Sequence, residues 1–166
     1  HGEPLMIVWG THGGNEVNEK IKALAQFARA TPNPGWTDKY DRHMQHSLLP
    51  GKPDTAVTDE DINQYNLILI GTAYQNSIVA RIAGELPVSL TKGEIVANDE
   101  LSWDFTDRGL GLLYYNPLNP KRLIYWVASN EKDFYRPKQP LMSHQGWDER
   151  GEDFQLLNVN KYQRVA

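Results

Sequence analysis

Two short apolar runs, each closing on a glycine–threonine pair, constrain this chain more than any other feature. The first run is Leu5 to Trp9 and the second is Asn66 to Ile70, and they lead into Gly10-Thr11 and Gly71-Thr72. Five-residue runs without polar alternation are typical of strands that are buried on both faces of a sheet. The sequence therefore predicts two buried strands, each followed at once by a tight loop.

Helical spacing follows both loops. Apolar side chains recur after Asn15 at Val17, Ile21, Leu24, Ala25 and Ala28, and this helix must stop before Pro32. A second helix is predicted over Ser77 to Leu86, where Pro87 ends it. Strands that alternate with helices indicate a mainly parallel sheet covered on both faces. We predict an α/β fold over residues 1–166 as a single domain, a three-layer sandwich of flavodoxin-like or Rossmann-like type.

The remaining elements are shorter. Thr58 to Asp61 resembles a capping box that opens a short helix through about Gln64. Strands are predicted at Val88 to Leu90, Glu94 to Ala97, Leu110 to Tyr115, Leu123 to Ala128 and Phe154 to Val159. We expect these later strands to extend the main sheet as antiparallel edge strands. Residues 35–53 fit either one strand or an ordered loop.

The two strand–loop–helix units share a pattern, because aligning Gly10 with Gly71 also aligns Asn15 with Asn76. Glycine permits the tight turn and asparagine is a preferred helix cap. Two such loops side by side, at the carboxyl ends of parallel strands, suit a small ligand such as an anion, a nucleotide or a sugar. The candidate ligand-binding residues are Gly10, Thr11, His12, Gly13, Asn15, Gly71, Thr72 and Asn76. The alternative is that both units are ordinary strand-to-helix connections, since neither matches a dinucleotide-binding or P-loop motif.

Composition excludes several classes of function. The 21 acidic and 17 basic residues give a formal net charge of −4, which argues against nucleic acid as a partner. No apolar stretch approaches the length that crosses a membrane, so no membrane association is predicted. Cysteine is absent, which removes thiol catalysis, disulfides and cysteine-based zinc sites. We predict no cofactor.

Histidines are the candidate chemical groups. His12 lies inside the first loop and is the best-placed acid or base, although only Glu16 is nearby in sequence to orient it. His43 and His46 are three residues apart and would share a helical face, which makes them weak candidates for metal ligands; a packing or surface role is the alternative. No Gly-x-Ser-x-Gly nucleophile motif is present.

Carboxylates also gather around Trp103, namely Asp99, Glu100, Asp104 and Asp107. Paired carboxylates beside an aromatic ring are the residues of glycosidase chemistry. Because the segment is so polar, we expect a solvated loop instead.

Several motifs together resemble a known family. They are Asn66 to Thr72, Asn76, Leu86-Pro87, Gly109 to Leu112 and the turn Tyr115-Asn116-Pro117-Leu118-Asn119-Pro120, with Pro4 to Thr11 and Asp153 to Leu156 fitting the same pattern. The set resembles the Rossmann-like C-terminal domain that follows the catalytic part of secreted bacterial α/β-hydrolase-type esterases and prolyl-oligopeptidase-like peptidases. The resemblance covers most of Pro4 to Ala128.

The resemblance implies a role. In that family the Ser-His-Asp machinery belongs to the other domain, so this chain is expected to be a non-catalytic accessory domain. Its expected partner is the catalytic hydrolase domain of the same parent chain, and its expected location is exported, either periplasmic or extracellular. We expect the chain to be a fragment of a longer protein. A small-ligand binding module and an enzyme that uses His12, or a metal on His43 and His46, are the alternatives.

Overall fold

The structure is a computed structural model that describes residues 4–30, 49–97, 101–104, 106, 108–130, 132–135, 154–158 and 162–163. The strands in these ranges are β1 (Leu5–Trp9), β2 (Gly51–Pro53), β3 (Asn66–Ile70), β4 (Val88–Leu90), β5 (Glu94–Ala97), β6 (Leu101–Asp104), β7 (Arg108–Asn116), β8 (Asn119–Ser129), β9 (Phe154–Asn158) and β10 (Tyr162–Gln163). The helices are α1 (Asn15–Ala30), α2 (Asp59–Gln64) and α3 (Ser77–Ile82). Single 3-10 turns lie at Asp54–Ala56, Ala83–Glu85 and Lys132–Phe134.

The main sheet is mixed, with seven strands in the order β10-β9-β7-β8-β3-β1-β2. β1 runs parallel to both β2 and β3, and β3 runs parallel to β8. β7 is antiparallel to β8 and to β9. The α/β class and the added antiparallel strands are therefore as predicted, and segment 35–53 does contribute a short strand, β2.

Two buried clusters lie on opposite faces of this sheet, since successive strand residues point to opposite sides. On one face Ile7, Ile68 and Ile70 pack with α1. On the other, Val8 and Leu69 pack with α2, α3 and the small sheet. Both β1 and β3 thus bury side chains in both directions, which explains why their sequences are apolar without alternation.

The positions of the later strands differ from the prediction. β4, β5 and β6 do not extend the main sheet; they form a separate antiparallel sheet of three strands. Val88, Ile95 and Ala97 belong to the same buried cluster as α3, so this sheet covers a face of the main sheet, and β7 takes the position beside β8.

Within the polar segment around Trp103, Leu101–Asp104 form a strand, β6, where a loop is predicted; its side chains other than Trp103 are exposed, as expected of a solvated segment. It pairs with β5 along its length, and Trp103 packs against the buried cluster. Backbone pairing and one anchored aromatic ring outweigh the polar composition here.

Helix boundaries follow their local signals. Thr58 caps α2 in a complete capping box with Asp61, as the sequence predicted. α3 ends at Ile82, earlier than predicted, and the chain continues as the 3-10 turn Ala83–Glu85 before β4. In the described part of the chain, no helix has the length and apolar character needed to cross a membrane.

Candidate functional site

The two glycine–threonine corners lie side by side at one rim of the sheet. β1 and β3 pair in register with Trp9 opposite Ile70, so both strands end at the same level. The Gly10 amide donates to the Ile70 carbonyl at 3.0 Å, which joins the first corner to the end of β3. The juxtaposition on which a ligand crevice depends is therefore present, and each corner feeds a helix.

Asn76 organises the second corner. Its side chain is fully buried, and Oδ1 accepts from the amides of Ile78 at 3.0 Å and Val79 at 3.3 Å. Nδ2 donates to the carbonyls of Ile70 at 3.1 Å and Val8 at 3.4 Å. Asn76 therefore caps α3, as predicted, and also ties that helix to both β1 and β3.

Gly71 gives the second corner its shape. Its φ is +119°, a conformation that favours glycine. Its carbonyl accepts from Nε1 of the buried Trp126 at 2.8 Å. Its amide donates to the Val127 carbonyl at 2.9 Å. The backbone of this corner is thus fixed against β8.

Gln75 links the second corner to the segment that follows β8. Its Oε1 lies 2.9 Å from the amide of Thr72 and 2.8 Å from the hydroxyl of Tyr135. The Tyr135 hydroxyl also accepts from the Ser129 amide at 2.9 Å. Burial raises the pKa of Tyr135 well above its usual range, so its hydroxyl stays protonated and available as a donor.

The first corner is more open. His12, Gly14 and Asn15 are exposed, and the side chain of His12 is 50% accessible. The His12 amide donates to the Gln75 carbonyl at 3.0 Å, and Nδ2 of Asn18 donates to the Thr11 carbonyl at 2.9 Å. The backbone of the first corner is therefore held, while the side chains of His12 and Asn15 face solvent.

Asn15 is not the helix cap that the repeat predicts. α1 begins at Asn15 itself, and the first helical bond runs from the Asn18 amide to the Gly14 carbonyl at 2.9 Å. Gly14 therefore occupies the capping position. The helix starts one residue earlier, relative to the glycine–threonine pair, than α3 does.

Asp54 is the residue that the sequence did not reveal. It follows β2, and its side chain is fully buried. Oδ1 accepts from the hydroxyl of Thr11 at 2.7 Å, and Oδ2 accepts from the Ser77 amide at 2.6 Å. Oδ2 also lies 3.3 Å from Nε2 of His12. One carboxylate thus joins the ends of β1 and β2 to the start of α3.

Asp54 changes what the rim offers to a ligand. The carboxylate already occupies the start of α3, where helix amides favour negative charge. A bound anion at that position would meet a second negative group. The imidazole of His12 remains exposed beside this carboxylate, whereas Glu16, the carboxylate nearest to it in sequence, pairs with Lys20 and Lys132.

The other candidate residues are placed as follows. His43, His46, Asp99, Glu100 and Asp107 lie outside the described residues. Asp104 is exposed and accepts from the backbone and the hydroxyl of Thr106. Among the residues that the structure describes, no group of three or more histidine or acidic side chains is arranged to hold a metal ion.

An exposed apolar surface lies at the far end of the sheet. Tyr114, Tyr115 and Leu123 are 37%, 64% and 37% accessible, and we call these three the tyrosine surface. The two rings meet edge to face with centroids 6.2 Å apart, and Tyr115 lies opposite Leu123 across the β7–β8 pair. Leu123 is near the start of β8, whereas the rim with the two corners is near its end.

Comparison of the chain with models of known protein families, with curated proteins and with solved structures finds no match.

Proposed function

We propose that this chain is an accessory interaction domain of an exported bacterial hydrolase, an esterase or a peptidase, with a Rossmann-like three-layer fold. It packs against the catalytic domain of the same parent chain through the tyrosine surface. The proposal combines the family resemblance of the sequence with one structural observation, which is the exposure of Tyr114, Tyr115 and Leu123 next to one another.

The tyrosine surface has the chemistry of a protein interface. Large apolar side chains that lie exposed next to one another expose surface that burial would stabilise. Tyrosine is enriched in interfaces because its ring supplies a large contact area with few rotatable bonds. Tyr115 and Leu123 lie opposite each other on paired strands, so the sheet fixes the backbone that presents them.

The motifs that carry the resemblance support a scaffold role for their residues. Gly71, Thr72 and Asn76 direct their polar groups into the second corner. Oδ1 of Asn116 accepts from the Leu118 amide at 3.0 Å, which shapes the turn between β7 and β8 beside the tyrosine surface. The polar groups of the second corner are therefore engaged within the chain, and the Asn116 turn holds the end of the sheet that carries the tyrosine surface.

A binding experiment on the two parts of the parent protein tests this proposal. The hydrolase domain encoded in the same reading frame is produced separately, and its affinity for this chain is measured by calorimetry. Tyr115→Ala is expected to weaken binding about tenfold or more, since a buried aromatic anchor contributes over about 1 kcal/mol. Tyr74→Ala is the matched control, because Tyr74 is equally exposed, at 63%, but lies at the opposite rim.

Two results would contradict the proposal. One is a parent reading frame without a hydrolase domain. The other is binding that Tyr74→Ala weakens and Tyr115→Ala leaves unchanged.

A further inference from the structure

We propose that His12 is a general base at the rim of the sheet and that Asp54 is its positioning residue. This goes beyond the accessory role, because it gives the chain a chemical group of its own. The rim and the tyrosine surface lie near opposite ends of β8, so docking at one leaves the other accessible. The juxtaposition that carries the proposal is a half-exposed imidazole, Nε2 of which lies 3.3 Å from a fully buried carboxylate.

Asp54 is held in place by residues other than His12. The hydroxyl of Thr11 binds Oδ1 at 2.7 Å and the amide of Ser77 binds Oδ2 at 2.6 Å, so both oxygens are anchored by different elements. The backbone of His12 is held separately by the carbonyl of Gln75. The carboxylate and the backbone of His12 are therefore in place before a substrate arrives, and the 3.3 Å contact with Asp54 orients the ring.

The contact with Asp54 selects one form of the imidazole. Because the negative carboxylate lies 3.3 Å from Nε2, it favours, for the neutral ring, the tautomer that carries its proton on that nitrogen. Nδ1 is then the unprotonated nitrogen. With half of the side chain accessible, the ring can accept a proton at Nδ1 from a group outside the protein.

The position in the fold suits a reaction site. β1 connects through α1 to β2 on one side of it, while β3 connects through α3 and the small sheet towards β7 and β8 on the other side. Ligands of open α/β sheets bind outside the carboxyl ends of strands where the connections diverge in this way. His12 directly follows that divergence, at the end of β1.

A general base of this kind activates water, and attack of that water on an acyl carbon is the reaction chosen to test it. Water transfers a proton to Nδ1 of His12 while its oxygen bonds to the acyl carbon. The adduct then collapses, the carbon–oxygen bond to the leaving group breaks, and the imidazolium returns its proton to the leaving group or to solvent. Asp54 keeps its position throughout and lies next to the positive charge that forms on the ring.

The probe is p-nitrophenyl acetate, an activated acyl ester, hydrolysed by the purified chain. His12→Gln is expected to lower kcat/KM about tenfold or more, and Asp54→Asn to lower it by a similar factor with the ring still present. In a His12→Gly variant, added imidazole is expected to restore part of the rate. A variant in which His1, His43, His46 and His144 are all changed to glutamine is expected to keep the wild-type rate.

A measurement that does not depend on turnover accompanies the kinetics, because Asp54→Asn removes a buried contact and can weaken the fold. Nitrogen-15 NMR of the wild-type imidazole is expected to show His12 as the Nε2–H tautomer. Thr11→Val, which removes the Oδ1 contact and leaves Oδ2 in place, is expected to preserve that tautomer.

Three results would overturn the proposal. They are hydrolysis by the wild type no faster than buffer, an unchanged rate in His12→Gln, and an Nδ1–H tautomer in the wild type. None of them bears on docking through the tyrosine surface, so the two proposals fail separately.

Discussion

The two strand-to-helix corners share a sequence pattern but differ in what their side chains do. At the second corner, Thr72 and Asn76 are buried, and the side chain of Asn76 alone makes four hydrogen bonds within the chain. At the first corner, Asn15 is exposed and His12 is half exposed. The same pattern thus builds the scaffold in one copy and presents side chains to solvent in the other.

The difference originates in neighbours that are distant in sequence. The second corner lies beside β8, so Trp126 and Tyr135 cover it. The first corner lies between β3 and the short strand β2, and among the described residues on the β2 side the Asp54 carboxylate contacts it. A repeated motif therefore fixes a backbone path, while its position in the sheet decides its role.

Two glycines of the first corner should differ most in the stability that is lost when each is replaced by alanine. A Cβ on Gly10 would lie 2.2 Å from the backbone oxygen of Gln75, so Gly10→Ala must move the backbone that joins the corners. We expect a loss of more than about 3 kcal/mol in the free energy of unfolding. Gly14→Ala is the matched control, because no atom lies within 4 Å of its Cβ position. We expect it to change stability by less than about 1 kcal/mol, measured by urea denaturation. Equal losses of stability in the two variants would mean that the close approach of Gly10 to the Gln75 backbone does not matter for the fold.

The paired asparagines give the next largest contrast. Asn76→Ala removes the cap of α3 and leaves the carbonyls of Val8 and Ile70 without these donors, so we expect a loss of about 2–4 kcal/mol. Asn15→Ala is expected to cost less than about 0.5 kcal/mol, because its side chain is exposed at the start of α1. Thermal denaturation of both variants measures the difference. Similar stability costs for the two variants would mean that Asn15 and Asn76 play equivalent roles, which would contradict the contrast between the corners.

Tyr135 tests how the second corner is held from outside. Tyr135→Phe keeps the buried ring but removes the hydroxyl that bonds to Gln75 and Ser129. Because these hydrogen bonds to a buried hydroxyl are lost, we expect a loss of about 1–2 kcal/mol in the free energy of unfolding. Chemical-shift changes should extend to Gln75 and Thr72 and not to Gly14. A variant as stable as the wild type would show that the hydrogen bonds of the Tyr135 hydroxyl do not stabilise the second corner.

The capping box of α2 contains a residue that titrates, Asp61, whereas the Asn76 cap of α3 does not titrate. Burial tends to raise the pKa of Asp61, but hydrogen bonds from Lys52 and Thr58 outweigh it and hold the pKa below its ordinary value of 3.8. Because the folded state binds fewer protons than the unfolded one in that range, the stabilisation is present above pH 4 and is lost as the pH falls through the folded pKa.

Asp61→Asn should therefore cost about 1 kcal/mol at neutral pH and progressively less below about pH 4. The cost of Asn76→Ala should not follow this pH dependence, since an amide does not titrate. Asp59→Asn, at an exposed position in the same helical turn, is the control. A cost of Asp61→Asn that is independent of pH would contradict the assignment of the ion pair.

Local signals were enough to predict part of this structure from sequence. The apolar runs of β1 and β3 and the capping box at Thr58 each depend on neighbouring residues only, and all three are confirmed. The separate sheet of β4 to β6 was missed because strand patterns do not specify which sheet a strand joins. The strand at Trp103 was missed because pairing with β5 overrides its polar composition.

Asp54 was missed for a different reason. It lies 43 residues from Thr11 and 23 from Ser77, and only the order of β2, β1 and β3 in the sheet brings these residues together. The available signal was a carboxylate directly after a short strand. Without the sheet order, that signal did not identify its partners, so the sequence identified His12 without the group that orients it.

Native-state hydrogen exchange tests the difference between the corners most directly, because it measures both in one molecule. We predict that the amides of Ser77, Ile78 and Val79, bound by Asp54 and Asn76, are protected at least about a thousandfold. The amides of Gly13, Gly14 and Asn15 should exchange close to the rate of an unstructured peptide. Equal protection of the two sets would contradict the division between a scaffold corner and an open one.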